Sequence, residues 1–167
     1  MTSLLSRLSL VGSIMSVVQQ WADSRSKDPS TKVGAGIYDP ANGGLYLGYN
    51  GFPPGIEDDE EVWNRKETLR THESPAKPQW QWSKYDLVVH AEVNAVRKAL
   101  TAGVDMTKAI MVCTHLPCER CMKDVVCTHG LKTIYYNSAD YASCSDKTKA
   151  FAGYCVNTLG IFMEQIK

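Results

Sequence analysis

The chain has 167 residues with 18 basic and 18 acidic side chains, which gives a formal net charge of zero at neutral pH. This length suits one hydrophobic core, and we expect residues 1–167 to form a single domain. A neutral chain lacks the basic field of proteins that bind long nucleic acids, so no polynucleotide partner is expected. A small anionic ligand would need only a local cluster of cations.

The N-terminal stretch predicts one amphipathic helix over 3–24, because apolar side chains recur there at helical spacing. These side chains are Leu4, Leu8, Val11, Met15, Val18 and Ala22. Serines interrupt the apolar stretch, and nothing approaches the roughly 18 continuous apolar residues of a membrane span. We therefore expect no signal peptide, no membrane partner and a cytoplasmic protein.

A β-hairpin is predicted over 33–50, where VGAGIY and LYLGYNG flank the turn sequence DPANGG. The following segment, about 52–85, contains prolines and the acidic run EDDEE and shows no clear period. We interpret it as a long insertion with one short helix. Loops of this length are often functional, but a solvated cover explains the composition equally well.

Helices and strands alternate through the second half of the chain. HAEVNAVRKALTAG predicts a helix that ends at Gly103, and PCERCMKDVVCTHG predicts another that begins near Pro117 and ends at Gly130. KAIMVCTHL and LKTIYYN predict strands, and DKTKAFAGYCVNTLG and IFMEQI predict a last helix and a last strand. This order is typical of an α/β layered fold with a mixed sheet.

His90, Cys118 and Cys121 are side chains of the kind that bind zinc. A catalytic zinc site has three protein ligands and leaves one position for water, and a Cys-x-x-Cys pair at a helix start favours the thiolate form. Glu92 lies two residues after His90, and a carboxylate beside an open zinc site can move the protons of an activated water. H-x-E followed by P-C-x-x-C, with the Glu as acid and base, is the signature of zinc deaminases.

Other interpretations of these residues are weaker. A redox role for Cys118 and Cys121 would leave the His and the Glu without a task. A structural zinc site needs a fourth ligand, which Cys113 or His115 could supply, but it has no use for Glu92. The six cysteines do not favour a disulfide framework in a chain of this length, and they indicate a reducing compartment.

Five segments resemble the zinc-dependent deoxycytidylate (dCMP) deaminases, within the cytidine-deaminase-like superfamily. They are RSKDPSTKVGA (25–35), GYNGFP (48–53), HAEVNA (90–95), PCERC (117–121) and GLKTIYY (130–136). The zinc signature alone indicates the superfamily, and the first two segments indicate the deoxycytidylate branch. The resemblance implies a three-layer α/β/α sandwich with a central mixed five-stranded sheet. It also implies hydrolysis of dCMP to dUMP and ammonia, which supplies dUMP for thymidylate synthesis.

The resemblance also implies roles for individual residues. His90, Cys118 and Cys121 would hold one Zn²⁺ per subunit, and Glu92 would protonate N3 and then the departing amine as water attacks C4. The Ala91 backbone amide, at a helix start, would bond the base carbonyl.

Asn50 would contact the deoxyribose, although the residues alone favour a turn position before Gly51. Ser24, Arg25 and Lys27 would bind the phosphate, for which the alternative is a solvated basic loop. Tyr141 would close over the substrate.

Regulation and assembly are expected from the resemblance only. Related enzymes form homohexamers, and many are activated by dCTP and inhibited by dTTP with bridging Mg²⁺. The segment Gly48, Tyr49, Asn50 and Gly51 would be the regulatory surface, together with 52–85. No Cys precedes position 113, and His72 is the only His in the insertion, so we expect no second zinc.

Four other functions share part of this pattern. Deaminases of bases within polynucleotides need a basic channel, which a neutral chain with an acidic run does not favour. A nucleoside deaminase would need no phosphate site, so loss of Arg25 would spare it. The last two are a deaminase of 5-substituted dCMP and a non-catalytic nucleotide sensor that binds zinc. Only turnover assays distinguish these two functions from dCMP deamination.

Overall fold

A computed structural model describes residues 4–71, 79–137 and 144–166. Its central sheet has five strands in the order β2-β1-β5-β6-β7. The strands are β1 (Gly34–Asp39), β2 (Gly44–Tyr49), β5 (Ile110–Cys113), β6 (Thr133–Asn137) and β7 (Phe162–Ile166). β1 is antiparallel to both of its neighbours, and β5, β6 and β7 run parallel to one another. The predicted mixed sheet of five strands is thus confirmed.

Helices cover both faces of this sheet. They are α1 (Leu4–Arg25), α4 (Ala91–Thr101), α5 (Glu119–Cys121) with its π-helical continuation Met122–Cys127, and α6 (Asp146–Leu159). On one face, α1 packs against β1, β2 and β5, and its Val11 and Val18 belong to a core that also includes Val112 and Tyr135. On the other face, α4, the π-helical turn and α6 share a second core that includes Ala95, Met122 and Cys155. The three predicted layers are confirmed.

Gly48 determines how closely α4 approaches the sheet. A Cβ atom at this position in β2 would lie 2.2 Å from the Ala91 carbonyl oxygen and 2.5 Å from the Ala95 nitrogen. Only a residue without a side chain allows the first turns of α4 to lie directly on the strand. This contact fixes the position of the segment that carries His90 and Glu92.

The insertion has more regular structure than the one short helix that its sequence predicts. It contains the helices α2 (Glu60–Asn64) and α3 (Lys84–Leu87) and an antiparallel pair of strands, β3 (Leu69–Thr71) and β4 (Gln79–Gln81). Phe52 stacks on Trp63 with the ring centroids 3.9 Å apart, and the Trp63 indole donates to Asp58. The structure of the insertion depends on aromatic contacts and helix caps. These features produce no periodic sequence pattern in so short a segment, so the sequence does not predict them.

Within the described ranges, no helix combines the length and the apolar character that crossing a membrane requires.

Candidate active site

Two helix starts meet at the end of the sheet. His90 is the N-cap residue of α4 and Cys118 is the N-cap residue of α5, both with extended backbone conformations. Neither side chain caps its own helix. Both side chains are therefore available for another task, and each helix directs its positive end toward the same region.

The side chains of His90, Cys118 and Cys121 converge there. His90 Nδ1 lies 3.6 Å from the Cys118 sulfur and 3.3 Å from the Cys121 sulfur. A tetrahedral zinc with its usual Zn–N and Zn–S bonds holds such atoms about 3.6 Å apart. The three ligand atoms all lie within 4.8 Å of one another, so the donors fit one zinc ion.

The fourth ligand of a purely structural zinc site is not found in the described residues. Neither Cys113 nor His115 belongs to the group of converging ligands. Cys113 is buried in β5, where burial raises the pKa of its thiol well above the usual value. His115 Nδ1 lies 3.0 Å from the Thr114 hydroxyl instead. A site with three protein ligands and one open position is the arrangement of catalytic zinc.

The pKa values of Cys118 and Cys121 are shifted in opposite directions. The hydrogen bond from Cys121, followed by that from His90, lowers the pKa of Cys118 to about 4. The same bond with Cys118, together with burial, raises the pKa of Cys121. The hydrogen bond with Cys118 also raises the pKa of His90. These directions describe the metal-free site; zinc binds cysteine as the thiolate and histidine as the neutral imidazole, so its binding would release the protons that remain on these groups.

Glu92 lies beside this group but is not part of it. It is the second residue of α4 and is 4% exposed. Burial raises the pKa of its carboxyl group above the usual range. A buried carboxyl group whose pKa moves toward neutrality can both accept and donate a proton near pH 7.

A cavity of about 290 Å³ opens in front of these residues. His90, Ala91, Glu92 and Cys118 contribute to its lining. The other polar lining residues are Asp28, Thr31, Asn50, Lys84, Tyr85 and His115. Ala91 is the first residue of α4, and such a residue has no partner for its N–H group within the helix. The cavity therefore has a donor next to the proton-transfer group.

Asn50 lines the cavity while its side-chain amide is committed to the loop over 26–33. Its oxygen accepts from the Ser26 hydroxyl and from the Val33 N–H, both at 2.8 Å. Its nitrogen donates to the Thr31 carbonyl at 2.9 Å and to Asp28 at 3.4 Å. All four hydrogen-bonding positions of the amide are occupied.

A profile for the cytidine and deoxycytidylate deaminase zinc-binding region matches residues 11–138. The chain belongs to this family. The match includes the hairpin, the insertion, both helix starts and β6. The family description agrees with the ligand set of His90, Cys118 and Cys121.

Individual relatives extend this comparison. The chain is 35% identical to deoxycytidylate deaminase of Mus musculus over 126 residues and 33% identical to that of Homo sapiens over 126 residues. Each alignment covers 75% of this chain and 64% of the relative, so the chain spans less than two thirds of their length.

A solved structure shares the fold. The crystal structure of dCMP deaminase from the cyanophage S-TIM5 in apo form superposes with a TM-score of 0.61 at 22% identity, over 95% of this chain and 98% of that one. The same phage enzyme has been solved in complex with dCMP and dUMP. At this identity the likeness shows the cytidine-deaminase-like fold alone.

The three residues expected at the substrate phosphate lie outside the zinc cavity. Arg25 and Lys27 are exposed and line a second cleft, which they share with Tyr49 and Gly51. The Arg25 guanidinium lies 4.8 Å from the centre of the Trp21 ring. Ser24 donates its hydroxyl proton to the Trp21 carbonyl. The basic segment therefore faces a neighbouring surface, and its phosphate role stays a prediction.

Two further predictions concern Tyr141 and the regulatory segment 48–51. Tyr141 falls outside the described residues. Gly48 lies against α4 in the core, so the predicted regulatory segment is divided between the core and the second cleft.

Sequence reasoning missed several lining residues, notably Asp28, Lys84 and Tyr85. Asp28 lies in the segment 25–35 that carries the resemblance, where no role is predicted for it, yet it is 5% exposed and lines the zinc cavity. Lys84 was assigned to the end of the insertion, yet it is equally buried. One feature of the sequence could have indicated a role for Lys84: it lies six residues before His90, so its side chain must be close in the chain to a zinc ligand.

Proposed function

We propose that the protein is a zinc-dependent deaminase that hydrolyses dCMP to dUMP and ammonia. The observation that carries this proposal is the convergence of His90, Cys118 and Cys121 beside the buried Glu92 at the end of a cavity. The family membership and the relatives named deoxycytidylate deaminase support the choice of substrate. The S-TIM5 structure with dCMP and dUMP supports the same choice.

Zinc held by His90, Cys118 and Cys121 would supply the Lewis acidity that makes a water nucleophilic at neutral pH. Glu92 receives a proton as the oxygen of this water bonds to C4 of the cytosine ring, and delivers it to N3. The second water proton passes through Glu92 to the exocyclic amine, which leaves as ammonia when the C4–N bond breaks. The raised pKa of Glu92 suits a group that must both take and return a proton.

Substrate binding involves two kinds of contact. The backbone N–H of Ala91 donates to the carbonyl oxygen of the base, and Asn50 forms the wall beside the deoxyribose. Ser24, Arg25, Lys27 and Tyr141 are proposed to reach the phosphate. Because Arg25 and Lys27 line the adjoining cleft, this contact requires the nucleotide to extend beyond the cavity.

Regulation by dCTP and dTTP, with Mg²⁺ bridging the triphosphate, is proposed for the second cleft. Arg25 and Lys27 supply cations there, Tyr49 supplies an aromatic ring, and Asp58 supplies a carboxylate. This combination of groups supports the binding of an anionic nucleotide together with a metal ion. An Arg25→Ala variant separates the roles, since loss of effector response at unchanged KM for dCMP assigns Arg25 to regulation.

A homohexamer in the cytoplasm is the proposed state of the protein. Exposed apolar side chains on α1 and α6, including Leu10, Val17, Tyr154 and Leu159, support an assembly of several copies. Cys118 and Cys121 lie side by side without a disulfide bond between them, which supports a reducing compartment. Sedimentation equilibrium measures the assembly directly, and a monomer at micromolar concentration contradicts it.

The experiment that tests the function is the loss of cytosine absorbance with purified protein. The substrates are dCMP, deoxycytidine, dCTP and 5-methyl-dCMP, each with and without dCTP plus Mg²⁺. Turnover of dCMP and not of deoxycytidine supports the proposal. Turnover of deoxycytidine at an equal rate contradicts the phosphate site, and binding of dCMP without turnover by the zinc-loaded protein indicates a nucleotide sensor.

A further inference from the structure

Lys84 and Asp28 form a buried ion pair in the wall of the zinc cavity. Both side chains are 6% exposed, and the Lys84 ammonium lies 3.2 Å from each oxygen of the Asp28 carboxylate. Burial removes the water that would otherwise hydrate both charges. Replacing a buried ion pair by apolar side chains of similar volume often leaves the stability of a protein unchanged or raises it. The pair therefore calls for an explanation other than stability.

The Asp28 carboxylate joins three segments of the chain. One oxygen accepts from the backbone N–H groups of Ser30 at 2.8 Å and Thr31 at 3.2 Å. The other accepts from the Asn50 amide at 3.4 Å, and Lys84 bonds both. One carboxylate thus holds the loop 26–33, the end of β2 and the helix α3 together.

Lys84 belongs to the segment that leads to the first zinc ligand. The backbone N–H of Val88 donates to the Lys84 carbonyl at 2.8 Å, and Val89 exchanges two backbone hydrogen bonds with Gly51. His90 follows directly. This segment is therefore attached to the end of β2 twice, once by Val89 and Gly51 and once by Lys84 through Asp28 and Asn50.

We infer that Lys84 and Asp28 are a positioning pair that fixes the nucleotide-binding wall relative to His90 and Glu92. The inference rests on the proposed deaminase function. Neither residue takes part in proton transfer; the pair holds Asn50 and the loop 26–33 at the distance from the zinc ligands that the nucleotide spans. A small displacement of a bound substrate can cost about 10²-fold in rate.

The test compares the wild type with Lys84→Met, Asp28→Asn and the double variant. Met retains most of the length of the Lys side chain, Asn retains the shape of Asp, and the double variant has no charge at either position of the pair. Lys108→Met is the matched control, because Lys108 pairs with Asp105 at 2.9 Å on an exposed surface. For each protein, kcat and KM for dCMP, the zinc content, the melting temperature and the dissociation constant of dUMP are measured.

A positioning role predicts a specific combination of results. The single variants lose both thermal stability and activity, whereas the double variant recovers stability but keeps a raised KM and a kcat/KM about 10²-fold below the wild type. Zinc content stays at that of the wild type throughout. Lys84→Arg, which can bond both carboxylate oxygens, restores KM more than Lys84→Met does.

Two outcomes overturn the inference in distinguishable ways. In the first, the double variant recovers the KM, the dUMP affinity and the melting temperature of the wild type. The pair then serves stability alone, and the proposed deaminase function is unaffected. A zinc-loaded wild type that neither turns over dCMP nor binds dUMP overturns the proposed function, and the inference with it.

Discussion

Glu92 experiences two opposing influences at the second position of α4. The helix start favours its ionised form, and burial favours its neutral form. Burial is the larger influence, and the pKa of the carboxyl group is raised. The carboxyl group is therefore suited to proton transfer, whereas a zinc-ligating carboxylate would be held in its charged form.

Replacing Glu92 by Gln should greatly slow turnover without releasing zinc. The amide keeps the size of the side chain but cannot accept a proton, so we expect kcat for dCMP to fall by about 10²–10⁴-fold. Zinc content by metal analysis should match the wild type, because Glu92 is outside the ligand group. Glu61→Gln, on the exposed surface of α2, is the control and should be fully active. Loss of zinc from E92Q would assign Glu92 to metal binding instead.

Cys118 should be the most reactive thiol of the metal-free protein. Its pKa of about 4 makes it a thiolate throughout the neutral range. After chelation, we expect its alkylation by iodoacetamide, followed by peptide mass spectrometry, to proceed at a rate that is nearly constant between pH 6 and 9. Zinc should protect it. A rate that rises tenfold per pH unit would show that Cys118 carries its proton in the metal-free state.

The contact between β2 and α4 links the sheet to the active site, and Gly48 is its most restrictive position. A Gly48→Ala substitution forces a methyl group against two backbone atoms of α4, the Ala91 oxygen and the Ala95 nitrogen. We expect a loss of about 1–3 kcal/mol in the free energy of unfolding and a fall in activity, because the start of α4 carries Glu92. Denaturant unfolding and kcat/KM measure both effects.

Gly12→Ala is the matched control for this substitution. Gly12 is exposed within α1, and a Cβ atom there would have no neighbour within 4 Å. We expect this variant to gain about 1 kcal/mol, because alanine favours the helix, and to keep full activity. Equal unfolding free energies for G48A and the wild type would show that the β2–α4 contact relaxes easily.

Elements with their own local signal could be predicted from the sequence, and those that depend on distant partners could not. The spacing of Val11 and Val18 predicts α1, and the glycine after α6 marks the helix end, where Gly160 adopts a φ of +60°. The zinc ligands have fixed spacing within short motifs. In contrast, Asp28 and Lys84 meet across 56 positions, and neither has a neighbour in sequence that reveals the pairing.

Asn50 shows the same limit within the site. Its identity is consistent with a turn, a sugar contact or a support for a loop, and only the four bonds of its amide distinguish these roles. The phosphate residues were placed by resemblance, and the direction in which Arg25 points depends on Trp21, which no motif includes.

At the scale of the whole molecule, zinc should act as a cross-link between two parts of the fold. His90 begins α4 and Cys118 begins α5, and these helices are joined in sequence only through β5. Binding of zinc to the folded state and not to the unfolded chain stabilises the fold by about 2.7 kcal/mol when free zinc exceeds its dissociation constant 100-fold.

Removal of zinc should therefore lower the melting temperature measurably. For a chain of this size, we expect a fall of about 5–10 °C in calorimetry after dialysis against a chelator. Restoring zinc should reverse the change, and a His90→Ala variant should show a smaller response because one of three ligands is missing. An unchanged melting temperature in the chelated wild type, with metal analysis showing no zinc, would contradict this prediction, because it would mean that zinc does not bind the folded state more tightly than the unfolded chain.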